Sequence, residues 1–499
     1  MTRLRCLFRV PHWMLCLLPL FSGALQADER TEGDGNAPPA RPNVLLILAD
    51  DMGIGDVGCY NPDSRIPTPI LDRLAAEGVR YVDAHSPAAV CSPSRYGLLT
   101  GRYSFRSRMK RGVLWGDDRL LIEPGRETLA SMLKKHGYRT AMIGKWHLGL
   151  GSFDPAQPGR KTDFSKPFDA GPHTVGFDHV FGVPSALDVP PYVYIEGDHV
   201  VQAATKITPG SARRWAGGGG FWRAGPIAPD FSHEEVMPEL TRRAVELLRA
   251  FADEGKDDPF FLFFSLTAPH TPWVPTKENI GKSKAGYYGD FVAQVDQSVG
   301  LLLATLERTG MAEETLVLFT SDNGAHWRQQ DVAEYGHDSH LGYRGMKGDI
   351  WEGGHRIPLI SRWPGRIAPN EIRAALVGLN DLYATLAELV GHPIAEGEAE
   401  DSVSFLSTLT GNDARERTDL VLHSYDGMFA LRLGDWKLIA GLGSGGFTPP
   451  VWVQPEREGP YGQLYDLGTD RGERENLYLE RPQLVSRMFS LLVKRVKQN

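Results

Sequence analysis

Short runs of apolar residues recur along the chain and alternate with patterns of helical period. The runs at 44–49 (VLLILA), 260–266 (FFLFFSL) and 315–320 (TLVLFT) are apolar almost throughout, as in strands that are covered on both faces. Residues 139–143 form a further strand-like segment. A long amphipathic helix is predicted between the second and third runs from the apolar positions Phe291, Val292, Val295, Val299, Leu302 and Leu306.

Two shorter helices are predicted from the signals at their ends. Thr68 and Pro69 read as an N-cap and a first-turn proline, and Gly78 closes that helix. A second apolar stripe of helical spacing ends at Gly137. Alternation of strands and helices on this scale predicts an α/β fold with a mostly parallel sheet flanked by helices.

The pattern changes at two places along the chain. Residues 151–235 contain many prolines and a glycine run at 217–220, and they read as long surface loops, which in compact domains are commonly functional. Further on, short strand-like segments resemble hairpins, and a closing helix is predicted at 482–497. We therefore predict a large domain over 41–415 and a smaller α+β domain over 416–499.

The first 27 residues have the features of a secretory signal peptide. Three arginines precede an apolar run at 13–24, and Ala27 ends a small-residue cleavage site. A membrane span needs about 20 apolar residues, so an uncleaved anchor is the less favoured alternative. We predict cleavage after Ala27, a linker over 28–40, no stable membrane span, and export to the periplasm or the extracellular space.

Composition narrows the class of protein. The chain of 499 residues has 54 basic and 62 acidic side chains, which disfavours a general nucleic-acid binder. Its 4 cysteines are too few for a disulfide-rich scaffold. Cys6 and Cys16 fall within the predicted signal peptide, which leaves Cys59 and Cys91. A Cys59–Cys91 disulfide stays open at this point, and Cys59 is most simply a small apolar core residue.

Polar residues follow the predicted strands at the point where each strand ends. Ligands of open α/β sheets bind beyond the carboxyl ends of the strands, so these residues predict a site at that edge. The strand-end residues are Asp50, Asp51, Lys145, His147, His270, Asp322 and Asn323.

The acidic and amide members of this set predict a metal site. Their oxygens are hard ligands that suit Ca²⁺ or Mg²⁺, and Ca²⁺ is favoured because it tolerates more ligands and looser geometry. Positive charge for an anionic substrate would come from Lys145, Lys347 and Arg95.

A cysteine precedes a predicted helix at 96–100. Ser92 reads as its N-cap and Pro93 as a first-turn residue, which places Cys91 at the positive end of the helix dipole. Taken alone, this pattern is compatible with a low-pKa thiolate nucleophile or with a buried structural cysteine.

The residues around Cys91 resemble a known signature. Residues 91–95 (CSPSR), continued by 99–102 (LTGR), match the C-x-P-x-R signature of the type I sulfatases. Their second signature is present at 144–149 (GKWHLG). The resemblance covers roughly 41–499 and implies an alkaline-phosphatase-like fold and the hydrolysis of sulfate esters. Residues 351–356 (WEGGHR) are similar to bacterial arylsulfatase A-type enzymes that act on sulfated carbohydrates.

The resemblance implies that a separate maturation enzyme converts Cys91 to Cα-formylglycine. The hydrated aldehyde is a geminal diol, and one of its hydroxyls attacks sulfur in line, which releases the alcohol and leaves a sulfated enzyme. Loss of a proton from the other hydroxyl then expels sulfate and restores the aldehyde.

The resemblance also implies roles for the other candidate residues. Arg95 would steady the diol, and His147 would be the base in the elimination step. Lys145 and Lys347 would bind sulfate oxygens, and His270, with Lys347, would assist the leaving alkoxide. The implied metal ligands are Asp50, Asp51, residue 91 after its conversion, Asp322 and Asn323.

A sulfated carbohydrate is the expected substrate. Asp188, Tyr192, Tyr194 and Trp273 are candidates for contacts with sugar rings, although loop aromatics commonly serve packing. One alternative is a phosphomonoester or phosphonate hydrolase of the same superfamily, which the Cys91 motif disfavours. Another is a noncatalytic glycan-binding relative, but that would have lost catalytic groups, and none is missing.

Overall fold

The computed structural model describes residues 41–212, 220–255, 258–411 and 417–497. The predicted signal peptide (1–27) and linker (28–40) lie outside the described residues, as does most of the glycine run at 217–220.

The described residues form eighteen strands and ten α-helices. The strands are β1 (Asn43–Asp50), β2 (Val79–Tyr81), β3 (Ala84–His85), β4 (Arg139–Lys145), β5 (His179–Val183), β6 (Ile195–Glu196), β7 (His199–Val200), β8 (Lys206–Thr208), β9 (Gly225–Ile227), β10 (Phe260–Pro269), β11 (Thr315–Ser321), β12 (Leu359–Arg362), β13 (Glu371–Arg373), β14 (Val377–Gly378), β15 (Asp419–His423), β16 (Phe429–Leu433), β17 (Trp436–Ile439) and β18 (Gln463–Asp466). The helices are α1 (Pro69–Ala76), α2 (Cys91–Thr100), α3 (Leu129–Lys135), α4 (Val236–Asp253), α5 (Gly286–Arg308), α6 (Gln329–Tyr335), α7 (Glu352–His355), α8 (Asp381–Val390), α9 (Leu406–Leu409) and α10 (Pro482–Lys497).

A ten-stranded sheet forms the centre of the fold, in the order β13-β2-β12-β11-β1-β10-β4-β5-β6-β7. Its five middle strands β11, β1, β10, β4 and β5 are parallel to one another, whereas the pairs toward both edges are mainly antiparallel. The prediction of a mostly parallel sheet flanked by helices is therefore confirmed.

The apolar runs are buried on both faces of the sheet, as their composition predicts. On β1, Val44 and Leu46 belong to the hydrophobic cluster on one face, and Leu45 and Ile47 belong to the cluster on the other. Successive side chains of a strand point to opposite faces, so a run without polar interruption needs helices on both sides.

The parallel arrangement brings four strand ends to one edge. β1 lies between β11 and β10, and β10 pairs with β4 in parallel register. The segments that follow these strands therefore begin side by side, although the strands are far apart along the chain.

Residues 151–235 differ in part from the predicted long loops. They contain β5, which extends the parallel sheet beside β4, and four shorter strands. Only five residues long, β5 includes Gly182, where a Cβ atom would lie 1.8 Å from the Gly144 carbonyl oxygen. The close approach of the two strands requires glycine here, and this glycine weakens the strand signal in the sequence.

The C-terminal strands β15–β18 form a four-stranded antiparallel sheet, and α10 contacts it. Buried charges link this sheet to α7. Lys437 on β17 lies 3.1 Å from Glu352 Oε1 and 2.9 Å from Glu473 Oε1, and Arg432 on β16 donates to Glu352 Oε2 at 3.2 Å. Removing one member of such a network would leave a buried charge unpaired. No helix among the described residues is long and apolar enough to cross a membrane.

Candidate active site

Two adjacent aspartates lie at the carboxyl end of β1. Asp50 ends the strand, and Asp51 follows with a backbone φ of 66°, a left-handed conformation that is uncommon for residues other than glycine. The Asp51 N–H donates to Asp322 Oδ1 at 3.2 Å. Both aspartate side chains are buried, so their charges need partners within the protein.

Each of these carboxylates is paired with a lysine. Lys145, the last residue of β4, donates from Nζ to Asp50 Oδ2 at 2.6 Å, and Lys347 donates to Asp51 Oδ2 at 2.7 Å. Burial by itself raises the pKa of both carboxyls, but the paired lysines and His270 outweigh it and hold each pKa below its usual range. Both aspartates are therefore ionised at neutral pH.

Asp322 and Asn323 follow β11 at the same edge. Asn323 Nδ2 donates to Asp51 Oδ1 at 2.7 Å, and Arg95 on α2 donates from Nε to Asp322 Oδ2 at 2.9 Å. Burial and the neighbouring charge of Asp50 raise the pKa of the Asp322 carboxyl, and the charge of Arg95 offsets only part of that effect. Ionising Asp50, Asp51 and Asp322 together is therefore unfavourable, because the three carboxyls lie close to one another at this edge.

Cys91 is the first residue of α2, so the helix begins earlier than predicted. Its N-cap is the extended residue Val90, and the Ser92 hydroxyl, which was expected to cap the helix, accepts a hydrogen bond from the Leu114 N–H at 3.1 Å. The expectation that Ser92 is the N-cap is therefore wrong. Cys91 nevertheless lies at the helix N-terminus, where unpaired N–H groups favour negative charge.

The surroundings of Cys91 do not favour a thiolate. Burial raises the pKa of the Cys91 thiol to about 12, and the charges of Lys145 and Lys347 offset only part of this effect. The interpretation of Cys91 as a low-pKa thiolate is wrong for this structure. A Cys59–Cys91 disulfide is also absent from the described residues, since both cysteines are free.

His147 has one ring nitrogen bound to the backbone and one without a described partner. Its Nε2 lies 2.9 Å from the Leu114 carbonyl oxygen, which can only accept, so Nε2 carries the proton. Nδ1 is buried and has no hydrogen-bond partner among the described residues. Burial and the charges of Lys145 and Arg95 hold the pKa of His147 well below its usual range, so its imidazole is neutral at pH 7. The backbone φ of 56° at His147 is a second left-handed conformation at this edge.

His270 follows β10 and has the opposite arrangement. Its Nδ1 donates to the Thr271 carbonyl oxygen at 2.6 Å, and its Nε2 lies 3.7 Å from Asp51 Oδ2. Nε2 is therefore the nitrogen that can exchange a proton with a ligand in the site. Asp188 Oδ1 lies 4.0 Å from His270 Nδ1.

The donor set fits a hard divalent cation. One ligand atom each from Asp50, Asp51, Cys91 and His270 lies within 4.8 Å of the others. Asp50 Oδ1 and Asn323 Oδ1 are buried and accept no hydrogen bond from a described residue. Buried oxygens of this kind are costly unless a ligand satisfies them, and carboxylate and amide oxygens suit Ca²⁺ or Mg²⁺.

The structure brings the predicted residues together at one edge of the sheet. Six of them are joined by direct contacts through Asp50 and Asp51, namely Lys145, Lys347, Asn323, Asp322, Arg95 and His270. His147 lies close enough for the charges of Lys145 and Arg95 to act on it, but it makes no direct hydrogen bond to this set among the described contacts.

Sequence reasoning missed Ser265. Its hydroxyl accepts from Arg95 Nη1 at 2.6 Å and donates to the Lys145 carbonyl oxygen at 2.7 Å, so it orients the arginine that holds Asp322. The available signal was a single polar residue within the apolar run of β10.

Two of the three aromatic candidates for sugar contacts are buried packing residues. Tyr192 is 2% exposed and Trp273 is 5% exposed. The Trp273 ring packs against Tyr288, and Tyr194 stacks on Phe181. The interpretation of Tyr192 and Trp273 as sugar-binding residues is therefore wrong, because packing buries both rings, whereas for the half-buried Tyr194 it stays a prediction.

Comparisons with known proteins agree on one family. Residues 42–392 match the family model described as Sulfatase. The chain is 32% identical to an N-acetylgalactosamine-6-O-sulfatase of Bacteroides thetaiotaomicron, over 96% of this chain and 98% of that protein. It is 33% identical to human arylsulfatase A, over 89% of this chain and 84% of that protein.

Solved structures give the same result. A Bacteroides thetaiotaomicron protein, described in connection with the metabolism of multiple glycosaminoglycans, superposes with a TM-score of 0.80 at 32% identity, over 92% of this chain and all of that one. A sulfatase from Pseudoalteromonas sp. superposes with a TM-score of 0.70 at 25% identity, over 91% of this chain and 90% of that one.

The raised pKa of the Cys91 thiol predicts slow alkylation. In protein made without a maturation enzyme, we expect iodoacetamide at pH 8 to label native Cys91 at least about 100-fold more slowly than the unfolded chain, because each unit by which the pKa exceeds the pH lowers the thiolate fraction about tenfold. Peptide mass spectrometry reads position 91 separately, and the same protein in urea is the control. Equal rates in both states would contradict the prediction.

Proposed function

This chain belongs to the sulfatase family, and on that premise we propose that it removes sulfate from a sulfated glycan with a formylglycine made from Cys91. The observation that carries this proposal is the position of the Cys91 sulfur. It lies at the N-terminus of α2, within 4.8 Å of ligand atoms of Asp50, Asp51 and His270. A nucleophile formed at this position lies directly beside the groups that would hold a metal ion and a sulfate.

The metal ion and the modified residue would supply a positive charge and a nucleophile that the unmodified side chains do not provide. Formylglycine, as its hydrate, provides a hydroxyl nucleophile, and Ca²⁺ provides positive charge beside it. We propose that Asp50, Asp51, Asp322 and Asn323 hold the ion, because two of their buried oxygens accept no hydrogen bond from described residues. Arg95 and Ser265 are positioning residues in this scheme, since Ser265 orients Arg95 and Arg95 holds Asp322.

Lys145 and Lys347 bind the sulfate group. Each ammonium has three N–H donors, and each lysine already donates to one aspartate, at 2.6 and 2.7 Å. These ion pairs fix the direction of each side chain and leave further donors for sulfate oxygens. A buried, preorganised pair of cations favours the negative charge that builds up in the transition state.

Each of the two histidines carries out one of the two proton transfers. His147 is neutral and has a bare Nδ1, so it accepts the proton when sulfate is expelled. His270 delivers a proton from Nε2 to the departing sugar oxygen, because an alkoxide is a poor leaving group without it. Their different hydrogen-bond partners, Leu114 and Thr271, hold each ring in the orientation that its role requires.

The relatives support a carbohydrate substrate, and one of them suggests which sugar to test first. Because an N-acetylgalactosamine-6-O-sulfatase is 32% identical over almost the whole chain, we propose N-acetylgalactosamine 6-sulfate, free or within a glycan, as that substrate. We also propose that residues 1–27 direct export and that a formylglycine-generating enzyme acts before folding buries Cys91. The N-terminal sequence of the mature protein checks the cleavage after Ala27.

One experiment tests the reaction and the nucleophile together. In protein made with a maturation enzyme, we expect the peptide containing position 91 to have the mass of an aldehyde in place of a thiol, and we expect hydrolysis of 4-nitrophenyl sulfate. Cys91→Ala should lower kcat/KM on the order of 10⁴-fold or more, as the loss of a nucleophile does. Cys59→Ala, which changes the other described free cysteine, is the matched control.

Two results would contradict this proposal. A preference for 4-nitrophenyl phosphate over the sulfate would favour a phosphomonoester hydrolase. Glycan binding without hydrolysis of either ester, by protein whose residue 91 is converted, would favour a noncatalytic binding protein.

A comparison of two substrates isolates the role of His270. In His270→Ala, the ratio of kcat/KM for N-acetylgalactosamine 6-sulfate to that for 4-nitrophenyl sulfate should fall roughly 10²- to 10⁴-fold, the usual contribution of a general acid, because nitrophenolate leaves without protonation. Lys145→Ala should lower both values to a similar extent, since both esters present the same sulfate. An equal loss on both substrates in His270→Ala would show that the histidine is not the acid.

The identity of the metal ion and its ligands can be tested by binding. Protein freed of metal with a chelator should bind Ca²⁺ more tightly than Mg²⁺ in a calorimetric titration, and Asp50→Asn should weaken Ca²⁺ binding by at least roughly 10- to 100-fold, the loss seen even for outer partners of metal ligands. Asp63→Asn, at an exposed aspartate, is the control. Tighter binding of Mg²⁺, or unchanged affinity in Asp50→Asn, would overturn the assignment.

A further inference from the structure

An arginine outside the catalytic set lies between two aromatic rings. The Arg223 guanidinium carbon is 5.2 Å from the centre of the Trp115 ring and 5.1 Å from that of Phe221. The Arg223 side chain is 40% exposed, and Trp115 is 51% exposed. Trp115 is thus accessible to a ligand, unlike the buried rings of Tyr192 and Trp273.

Arg223 is linked to His270 through Asp188, and its neighbour Trp115 follows a residue that binds His147. It donates from Nη1 to Asp188 Oδ2 at 2.5 Å, and the other oxygen of Asp188 lies 4.0 Å from His270 Nδ1. On the opposite side, Trp115 directly follows Leu114, whose carbonyl oxygen accepts from His147 Nε2. The arginine and its aromatic neighbour therefore lie next to the residues that contact the two histidines, and a single carboxyl group separates Arg223 from His270.

The backbone segments at this place approach one another closely. A Cβ atom at Gly220 would lie 2.3 Å from Pro272 Cα, in the segment that follows His270. A Cβ atom at Gly116, next to Trp115, would lie 2.4 Å from the Pro190 carbonyl oxygen. The segment that carries Trp115 therefore packs against the one that follows Asp188, and the segment that leads to Arg223 packs against the one that follows His270.

Arg223 has donors left for a ligand. Its Nη1 is occupied by the backbone and side-chain oxygens of Asp188, whereas its Nε and Nη2 have no hydrogen-bond partner among the described residues. The Asp188 side chain is only 12% exposed, so the carboxylate that binds the guanidinium is itself nearly buried. A half-exposed ring beside N–H donors that have no described partner suits a sugar, whose C–H face packs on the ring while its oxygens accept hydrogen bonds.

We propose that Trp115 and Arg223 form a sugar-binding subsite that selects a glycan over a small sulfate ester. Trp115 packs against the sugar next to the sulfated one, and Arg223 donates to an oxygen of that neighbouring sugar. The acceptor is a carboxylate if this sugar is a uronic acid and a hydroxyl if it is neutral. This inference rests on the proposed sulfatase function and adds to it the recognition of a second sugar residue.

The test compares selectivity across substrates. kcat/KM is measured on 4-nitrophenyl sulfate, and on two disaccharides in which a uronic acid or a neutral hexose is linked to N-acetylgalactosamine 6-sulfate. In Arg223→Ala, the ratio of disaccharide to aryl sulfate kcat/KM should fall roughly 10- to 100-fold, mainly through KM. In Trp115→Ala it should fall roughly three- to tenfold.

Controls separate recognition from folding. Trp452→Ala removes a tryptophan that is also 51% exposed but contacts Asp426 rather than the residues around the histidines, and its ratio should stay within about twofold of the wild-type value. Arg223→Lys keeps the charge but loses the planar donors, so it should recover only part of the ratio. Thermal melting confirms that each variant is folded.

Each outcome decides a separate question. A larger effect of Arg223→Ala on the uronic acid disaccharide assigns a carboxylate acceptor, and an equal effect on both assigns a hydroxyl. Wild-type protein that hydrolyses the aryl sulfate but neither disaccharide, or an unchanged ratio in both Trp115→Ala and Arg223→Ala, overturns the subsite. Wild-type protein with converted residue 91 that hydrolyses no sulfate ester overturns the proposed function instead.

Discussion

The structure depends on holding like-charged carboxylates together in a buried place. Asp50, Asp51 and Asp322 lie at one edge of the sheet, out of contact with water, and each would be costly to ionise there alone. Lys145, Lys347 and Arg95 offset this cost, and they come from β4, from the loop before α7 and from α2. The site is therefore stable only when these distant segments are assembled, which couples its chemistry to the whole fold.

The parallel sheet and a few constrained backbone positions provide that assembly. Strands β11, β1, β10 and β4 end side by side, and Asp51 and His147 then turn through left-handed conformations that aim their side chains into the site. Gly144 allows the close approach of β4 to β10, because a Cβ atom there would lie 1.7 Å from the Ser265 carbonyl oxygen. The same contact brings the Ser265 hydroxyl to Arg95. Geometry at the strand ends thus determines which polar groups can act together.

Burial explains why an unmodified cysteine is poorly suited to this place. The surroundings that favour a metal ion and an anionic substrate also exclude water, and the exclusion of water raises the pKa of the Cys91 thiol to about 12. An aldehyde hydrate needs no thiolate, so its proposed formation at position 91 removes the conflict. In the proposed reaction, two histidines with different hydrogen-bond partners would supply the proton transfers, and Trp115 and Arg223 would extend the site toward a longer substrate.

Much of the fold followed from the sequence, because uninterrupted apolar runs such as 44–49 can only be strands or helices that are covered on both faces, and their length and flanking turns favour strands. The residues that gather at the strand ends also followed from the order of strands and polar residues, whereas the role of Cys91 was implied by the resemblance of its motif to the sulfatase signature. Tertiary structure alone decided the rest. β5 and Ser265 have weak local signals in the sequence. The sequence predicts Tyr192 and Trp273 to be aromatic residues of exposed loops, whereas the structure buries both rings. The N-terminus of α2 and the protonation of the Cys91 thiol likewise depend on neighbours far along the chain, since burial and charge are properties of the assembled structure and not of a segment.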